Sequence, residues 1–165
     1  RAGTLEAIED ASRKVDRSFR AGAIALGAKV TIQDTPGYMP FIQCDELSKV
    51  MKENLSRYLG KDNITDGQHS FASGDIGDLG MLMPLIQFGF GGFRGSIHGK
   101  DFEVADEEMA YFIPCKAVVT TIYDLIQDQG KLAQTIIDHN PPKLSKADYL
   151  TTWLGVQPNL NKDKV

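Results

Sequence analysis

Two prolines and a glycine fall within six residues at Thr35-Pro36-Gly37-Tyr38-Met39-Pro40, and neither a helix nor a ladder strand runs through such a segment. The chain therefore reads as two stretches joined at this break, residues 1–38 and residues 39–165. In the first, Leu5, Ile8, Val15, Phe19 and Leu26 recur at spacings of three, four and seven, with Ala11 and Ala23 between them, which predicts a helix. Thr4 stands where an N-cap belongs, Glu6, Glu9 and Asp10 suit the positive end of the helix dipole, and Gly27 supplies a left-handed stop. Ala28, Val30 and Ile32 then alternate with Lys29, Thr31 and Gln33, the period of a strand with one buried face over residues 30–34.

Beyond the break, Leu47, Val50, Met51, Leu55, Tyr58 and Leu59 form a second helical stripe, with Asp45 as its N-cap and Gly60 as its stop. Residues 61–80 are polar and glycine-rich, a long loop of the kind that usually carries function. Residues 81–90 are apolar and predict a strand. It leads into Phe88-Gly89-Phe90-Gly91-Gly92-Phe93-Arg94-Gly95, where the backbone must turn sharply or approach something closely. Five acids lie in the eight positions 101–108 and open the longest helical pattern, Met109, Phe112, Cys115, Val119, Ile122 and Ile126. Pro114 inside that pattern predicts a kink or two abutting helices, with Pro114 near the first turn of the second. Short helices are expected after Gly130, up to Asn140-Pro141-Pro142, and after Ser145.

A length of 165 residues is enough for about one domain of ~150. Eighteen basic against 22 acidic side chains give a net charge of −4, so there is no broad basic surface for nucleic acid. The aromatic-glycine stretch has the phenylalanines of an RNA-stacking strand but carries Gln87 where a basic residue is required, and no nucleic-acid partner is expected. Two cysteines, Cys44 and Cys115, exclude a disulfide-dense scaffold and fit reduced thiols, so the expected location is cytoplasmic. No uninterrupted apolar run approaches ~18 residues, and no membrane partner is expected.

The three histidines are far apart and form no zinc-binding pair on one helix face. His139 ends a helix, where an imidazolium meets the negative end of the dipole; His69 lies in the polar loop. His98 differs, because it follows a probable strand on a loop flanked by glycines and can project into a cleft, where a neutral imidazole binds metal. Ser73-Gly74-Asp75-Ile76-Gly77-Asp78 lacks the alternating acids of a calcium loop and predicts a short helix through Met81 opened by Ser73 or Asp75.

The order of these features resembles M20-family metallopeptidases and amidohydrolases, in particular the aminobenzoyl-glutamate utilisation branch. Arg1-Ala2-Gly3-Thr4-Leu5-Glu6, the helix through Ala21-Gly22-Ala23-Ile24-Ala25-Leu26-Gly27-Ala28 and the strand after it are similar to the end of that family's lid, or dimerisation, domain. The Ser73 to Asp78 run, Met83-Pro84, Gly95-Ser96-Ile97-His98-Gly99 and the acid-rich helix start are similar to the last part of its catalytic domain. The resemblance covers about residues 1–127. It implies an α/β fold class: the carboxy-terminal half of a zinc-peptidase-like α/β catalytic domain (39–165, with a helical extension from about 130), preceded by the last helix and strand of an α+β lid (1–38).

By the same resemblance His98 is a metal ligand, Ser73, Asp75 and Asp78 are substrate-wall or ligand-supporting residues, and Arg1 meets a substrate carboxylate. The implied cofactor is a divalent metal, zinc in most of the family, with two ions in the complete enzyme. The implied activity is hydrolysis of the amide bond of an N-acyl or N-aroyl amino acid or small peptide by a metal-activated water. The full-length protein is expected to be a homodimer. The family's His-x-Asp element, bridging acid and general base have no counterpart here, so no catalytic residue is expected within these 165 residues and the isolated chain is expected to be inactive. A noncatalytic interaction or assembly domain is the alternative. A partial catalytic domain also predicts apolar surface left without cover.

Overall fold

The computed structural model describes residues 2–35, 37–65, 67 and 74–153. The chain forms two compact units: Arg1–Ile42, Ser70–Met83 and Pro142–Val165 make one, Gln43–His69 and Pro84–Pro141 the other. The break at Pro36, like residues Arg1, His69 and Ser73, lies outside the described residues.

In the first unit, helix α1 spans Leu5–Ala25. The Thr4 hydroxyl accepts the Ala7 N–H at 3.2 Å, satisfying one of the free donors at the helix start. The helix closes as its sequence predicts, with Gly27 at φ 64° and the Ala28 N–H on the Ala23 carbonyl at 2.9 Å. Its apolar stripe is only partly covered: Leu5 and Ile8 are half-buried, whereas Val15, Phe19 and Leu26 are exposed, Leu26 at 85%. The alternating segment after it is not a strand. Residues 28–35 pair with no other strand among the described residues, although the Asp34 carboxylate accepts a hydrogen bond from Ser12 at 3.4 Å. Period-two patterning needs a neighbour to hold the backbone, and without one it does not form a ladder.

Helix α3 spans Ile76–Leu82 and lies on the extended backbone of residues 39–42 through its glycines. A Cβ on Gly77 would stand 2.1 Å from the Met39 carbonyl oxygen, and one on Gly80 3.5 Å from that of Ile42. Met39 and Met81 are buried here. The Met81 carbonyl accepts the N–H groups of Lys143 and Leu144, tying residues 142–153 to the same unit. Ser145 caps helix α5, Lys146–Asp148, by accepting the Asp148 N–H at 3.0 Å, as its position predicts.

The second unit is built on helices α2, Asp45–Leu59, and α4, Ile113–His139. Cys44 rather than Asp45 occupies the N-cap position, and Gly60 ends α2 at φ 77°. Met51 and Leu55 pack with Ile113 and Ala117, and Leu59, Ile64, Ile86, Phe88 and Met109 surround them. Phe88 and Ile86 lie on irregular chain, not on the strand predicted over 81–90. One wide π-helical turn, Glu108–Phe112, leads into α4. Pro114 sits in the first turn of α4, directly after the wide turn, which is the second of the two predicted arrangements. Asp106 starts this helix by accepting the Met109 N–H at 3.1 Å, while Asp101 and Glu103 belong to the ribbon before it.

Helix α4 is interrupted at Gln127, which is extended, and at Asp128, Gln129 and Gly130, which are left-handed with φ of 50°, 60° and 74°. A helix over Glu108–His139 is long and apolar enough by length and composition to cross a membrane. The interruption divides it. Of the expected stripe, Met109 packs against the core, but Phe112, Cys115, Val119, Ile122 and Ile126 are exposed, Val119 at 65%, while Ile113, Ala117 and Thr121 face α2. Apolar residues on nearly all sides leave periodicity unable to choose the buried face.

Asn54 is fully buried in this interface. Its Nδ2 donates to Thr121 Oγ1 at 3.1 Å and to the Asp124 carboxylate at 2.9 Å, and Thr121 in turn lies 3.7 Å from Met51 Sδ. Truncation removes both of these buried-amide hydrogen bonds and leaves a void, so Asn54→Ala is expected to cost about 1–3 kcal/mol in urea unfolding. Asn63→Ala, which removes an exposed hydrogen bond to Leu59, is expected to stay within ~0.5 kcal/mol.

Candidate functional site

Strands β1, Phe93–Arg94, and β2, Glu103–Val104, form an antiparallel ribbon with Phe93 opposite Val104 and Arg94 opposite Glu103. At its base Gly92, φ 94°, brings its backbone against the start of the helix: a Cβ there would lie 2.5 Å from the Ala110 nitrogen. The Gly92 carbonyl accepts the N–H groups of Ala105 and Asp106 at 2.8 and 3.0 Å. An Arg94 to Glu103 ion pair, 2.6 Å between Nε and Oε1, joins the strands on one face. On the other, Phe93 stacks on Phe102 at 5.1 Å, and Phe90 and Phe88 continue the row at 5.9 and 6.0 Å.

The ribbon turns through residues 95–102 and carries His98 at its tip, exposed and with φ 65°. The left-handed region costs a residue with a side chain roughly 1–2 kcal/mol, so the turn must offset it. Two main-chain hydrogen bonds help: Gly99 N–H to the Ser96 carbonyl at 2.7 Å and Phe102 N–H to the Gly99 carbonyl at 3.2 Å. His98 lies on a glycine-flanked loop as expected, but the strand expected before it is irregular chain apart from the two residues of β1, and the side chain is exposed at a tip.

Of the other expected residues, Asp75 and Asp78 belong to the first unit. Arg1 and Ser73 lie outside the described residues. Asp75 occupies the N-cap position of α3 but its side chain makes no capping bond, and its carbonyl accepts the Asp78 and Leu79 N–H groups. Asp78 accepts the Tyr149 hydroxyl at 3.2 Å. Burial, with the nearby Asp78 charge and that hydrogen bond, pushes the Tyr149 phenol above its ordinary pKa. Among the described residues no three His, Cys, Asp or Glu side chains come together as a metal-binding group. Cys44 is buried, Cys115 is exposed, and both are free thiols.

His139 closes the last turn of α4 and is bound there: its Nδ1–H donates to Glu46 Oε1 at 3.0 Å, and Asn140 Nδ2 donates to Glu46 Oε2 at 2.9 Å. Sequence reading found the helix end but not Glu46, 93 residues away in the chain. Comparison of the chain with family models, with curated proteins and with solved structures finds no match.

The hydrogen bond from His139 outweighs the opposing effect of desolvation and, with the lesser contributions of the Asn140 hydrogen bond and the charges of His139 and Lys49, holds the Glu46 carboxyl below its ordinary value of 4.5. A carboxyl lowered in the folded state stabilises the fold above its unfolded pKa, and that contribution is lost as pH falls through the folded value. The urea midpoint is therefore expected to decline as pH falls below the ordinary carboxyl value of 4.5, and Glu46→Gln to flatten the decline.

Proposed function

We propose that the chain is the carboxy-terminal part of an M20-like metal-dependent amidohydrolase, in which His98 supplies one metal ligand. The α/β reading refers to the larger catalytic domain of that enzyme. One observation carries the proposal: an exposed imidazole is held at the end of a ribbon at positive φ, a conformation few residues with a side chain adopt and in which histidine, asparagine and aspartate are the commoner ones. Asp128 and Gln129 share the conformation where α4 breaks, but His98 is the imidazole that the resemblance assigns to the metal.

Among the described residues no group of three metal-ligating side chains forms, so in this reading His98 would hold the ion and about two further protein ligands would have to come from outside this chain. When bound, a divalent ion of this class polarises an amide carbonyl and supplies a nucleophile at neutral pH. His98 would bind such an ion through a neutral ring nitrogen. A general base and the remaining ligands are expected upstream in the gene product. The substrate class is an N-acyl or N-aroyl amino acid or small peptide, with Asp75, Asp78, Ser73 and Arg1 as candidates for its surroundings. The isolated 165 residues are expected to show no turnover.

The uncovered apolar faces of α1 and α4 agree with a partial domain, and they also favour a second reading, a noncatalytic assembly module. An upstream His-x-Asp element and a pair of glutamates would select the enzyme; a gene product without them would select the module.

His98→Gly separates chemistry from folding. In the isolated chain it is expected to leave stability unchanged or raise it by up to ~1 kcal/mol, because glycine relieves the left-handed backbone. In the complete gene product the same substitution is expected to lower metal content and cut amidase activity by at least ~100-fold. Unchanged metal content and rate would remove His98 from the site.

A further inference from the structure

We infer that Asp101 is a positioning residue for His98, holding residues 96–101 in the left-handed turn that presents the imidazole. Its role in metal binding rests on the amidohydrolase reading; its role in the turn does not. The Asp101 carboxylate accepts the Ser96 N–H through Oδ2 at 3.2 Å, bridging the two ends of the turn over His98. This is the side-chain bond of the turn, beside the two main-chain bonds of Gly99 and Phe102.

The glycines on either side are cut to fit the same aspartate. A Cβ on Gly99 would lie 2.3 Å from Asp101 Oδ1 and 2.9 Å from the Ser96 carbonyl oxygen. One on Gly95 would lie 2.1 Å from the Asp101 carbonyl oxygen and 2.6 Å from its carbon. The side chain of Asp101 thus takes the volume that a residue larger than glycine would need at position 99, and its main chain does the same at position 95. Gly95 also sits at φ 90°, which glycine alone adopts without strain. Three residues around His98 are in this way mutually dependent, and together they offset a backbone conformation that His98 would leave if free.

The inference separates hydrogen bonding from charge. Asn at 101 keeps an oxygen acceptor for the Ser96 N–H, and Ala removes it. In the 165-residue chain, nuclear magnetic resonance reads the His98 backbone through its Cα shift and its amide-to-α-proton coupling. Asp101→Ala is expected to move both toward values of negative φ, and Asp101→Asn to keep them near wild type. A left-handed His98 in Asp101→Ala would overturn the inference.

In the complete gene product, Asp101→Ala is expected to weaken metal binding by about 10-fold, with Asp101→Asn restoring most of it. If His98→Ala leaves metal affinity unchanged, the reading of the site fails. If His98→Ala abolishes binding while Asp101→Ala does not alter it, the site stands and the positioning role of Asp101 is overturned.

Discussion

The second unit depends on one buried amide. Apolar contacts among Met51, Leu55, Ile113 and Ala117 are non-directional and would tolerate small slides of α2 along α4. Asn54 does not, because its buried Nδ2 donates to Thr121 and Asp124 together, and one register provides both. That register places the turn before α4, and with it Ala110, against which the Gly92 backbone is pressed. The ribbon starts at Gly92, and His98 is at its far end. A polar pair in the core is in this sense connected to the orientation of an exposed imidazole by contiguous packing.

The parts of the fold legible in the sequence were those set by local stereochemistry. Thr4 and Ser145 cap helices, Gly27 and Gly60 end them in the left-handed region, and Pro114 and Gly130 mark the disturbances of α4. Such signals need only a few neighbouring residues to act. The parts that were not legible depend on contacts distant in sequence. The pattern of residues 28–33 asks for a strand partner that the described residues do not contain, and the stripes of α1 and α4 name an apolar face without saying whether anything lies on it.

The candidate site divides along the same line. Glycines around position 98 announced a turn, and the structure places His98 at its tip. Asp101 read as one of five acids opening a helix, whereas its carboxylate folds back onto Ser96. Both roles suit an aspartate two residues after a glycine, and the choice between them is made by strand pairing of Arg94 with Glu103, which requires the reversal. Tyr149 as the partner of Asp78 had no local signal at all, being 71 residues away.

The left-handed interruption of α4 reconciles two distances. Helix α2 is tied to α4 at Asn54 and again at Glu46, a separation of about 12 Å along its axis at ~1.5 Å per residue. The matching partners, Thr121 and His139, would stand about 27 Å apart on an unbroken helix. Both ties cannot be made to a straight rod. By turning the chain at residues 127–130, the protein takes up roughly 15 Å of surplus length and brings a second, shorter segment back to the start of α2, so that two anchorages of unequal spacing share one partner helix.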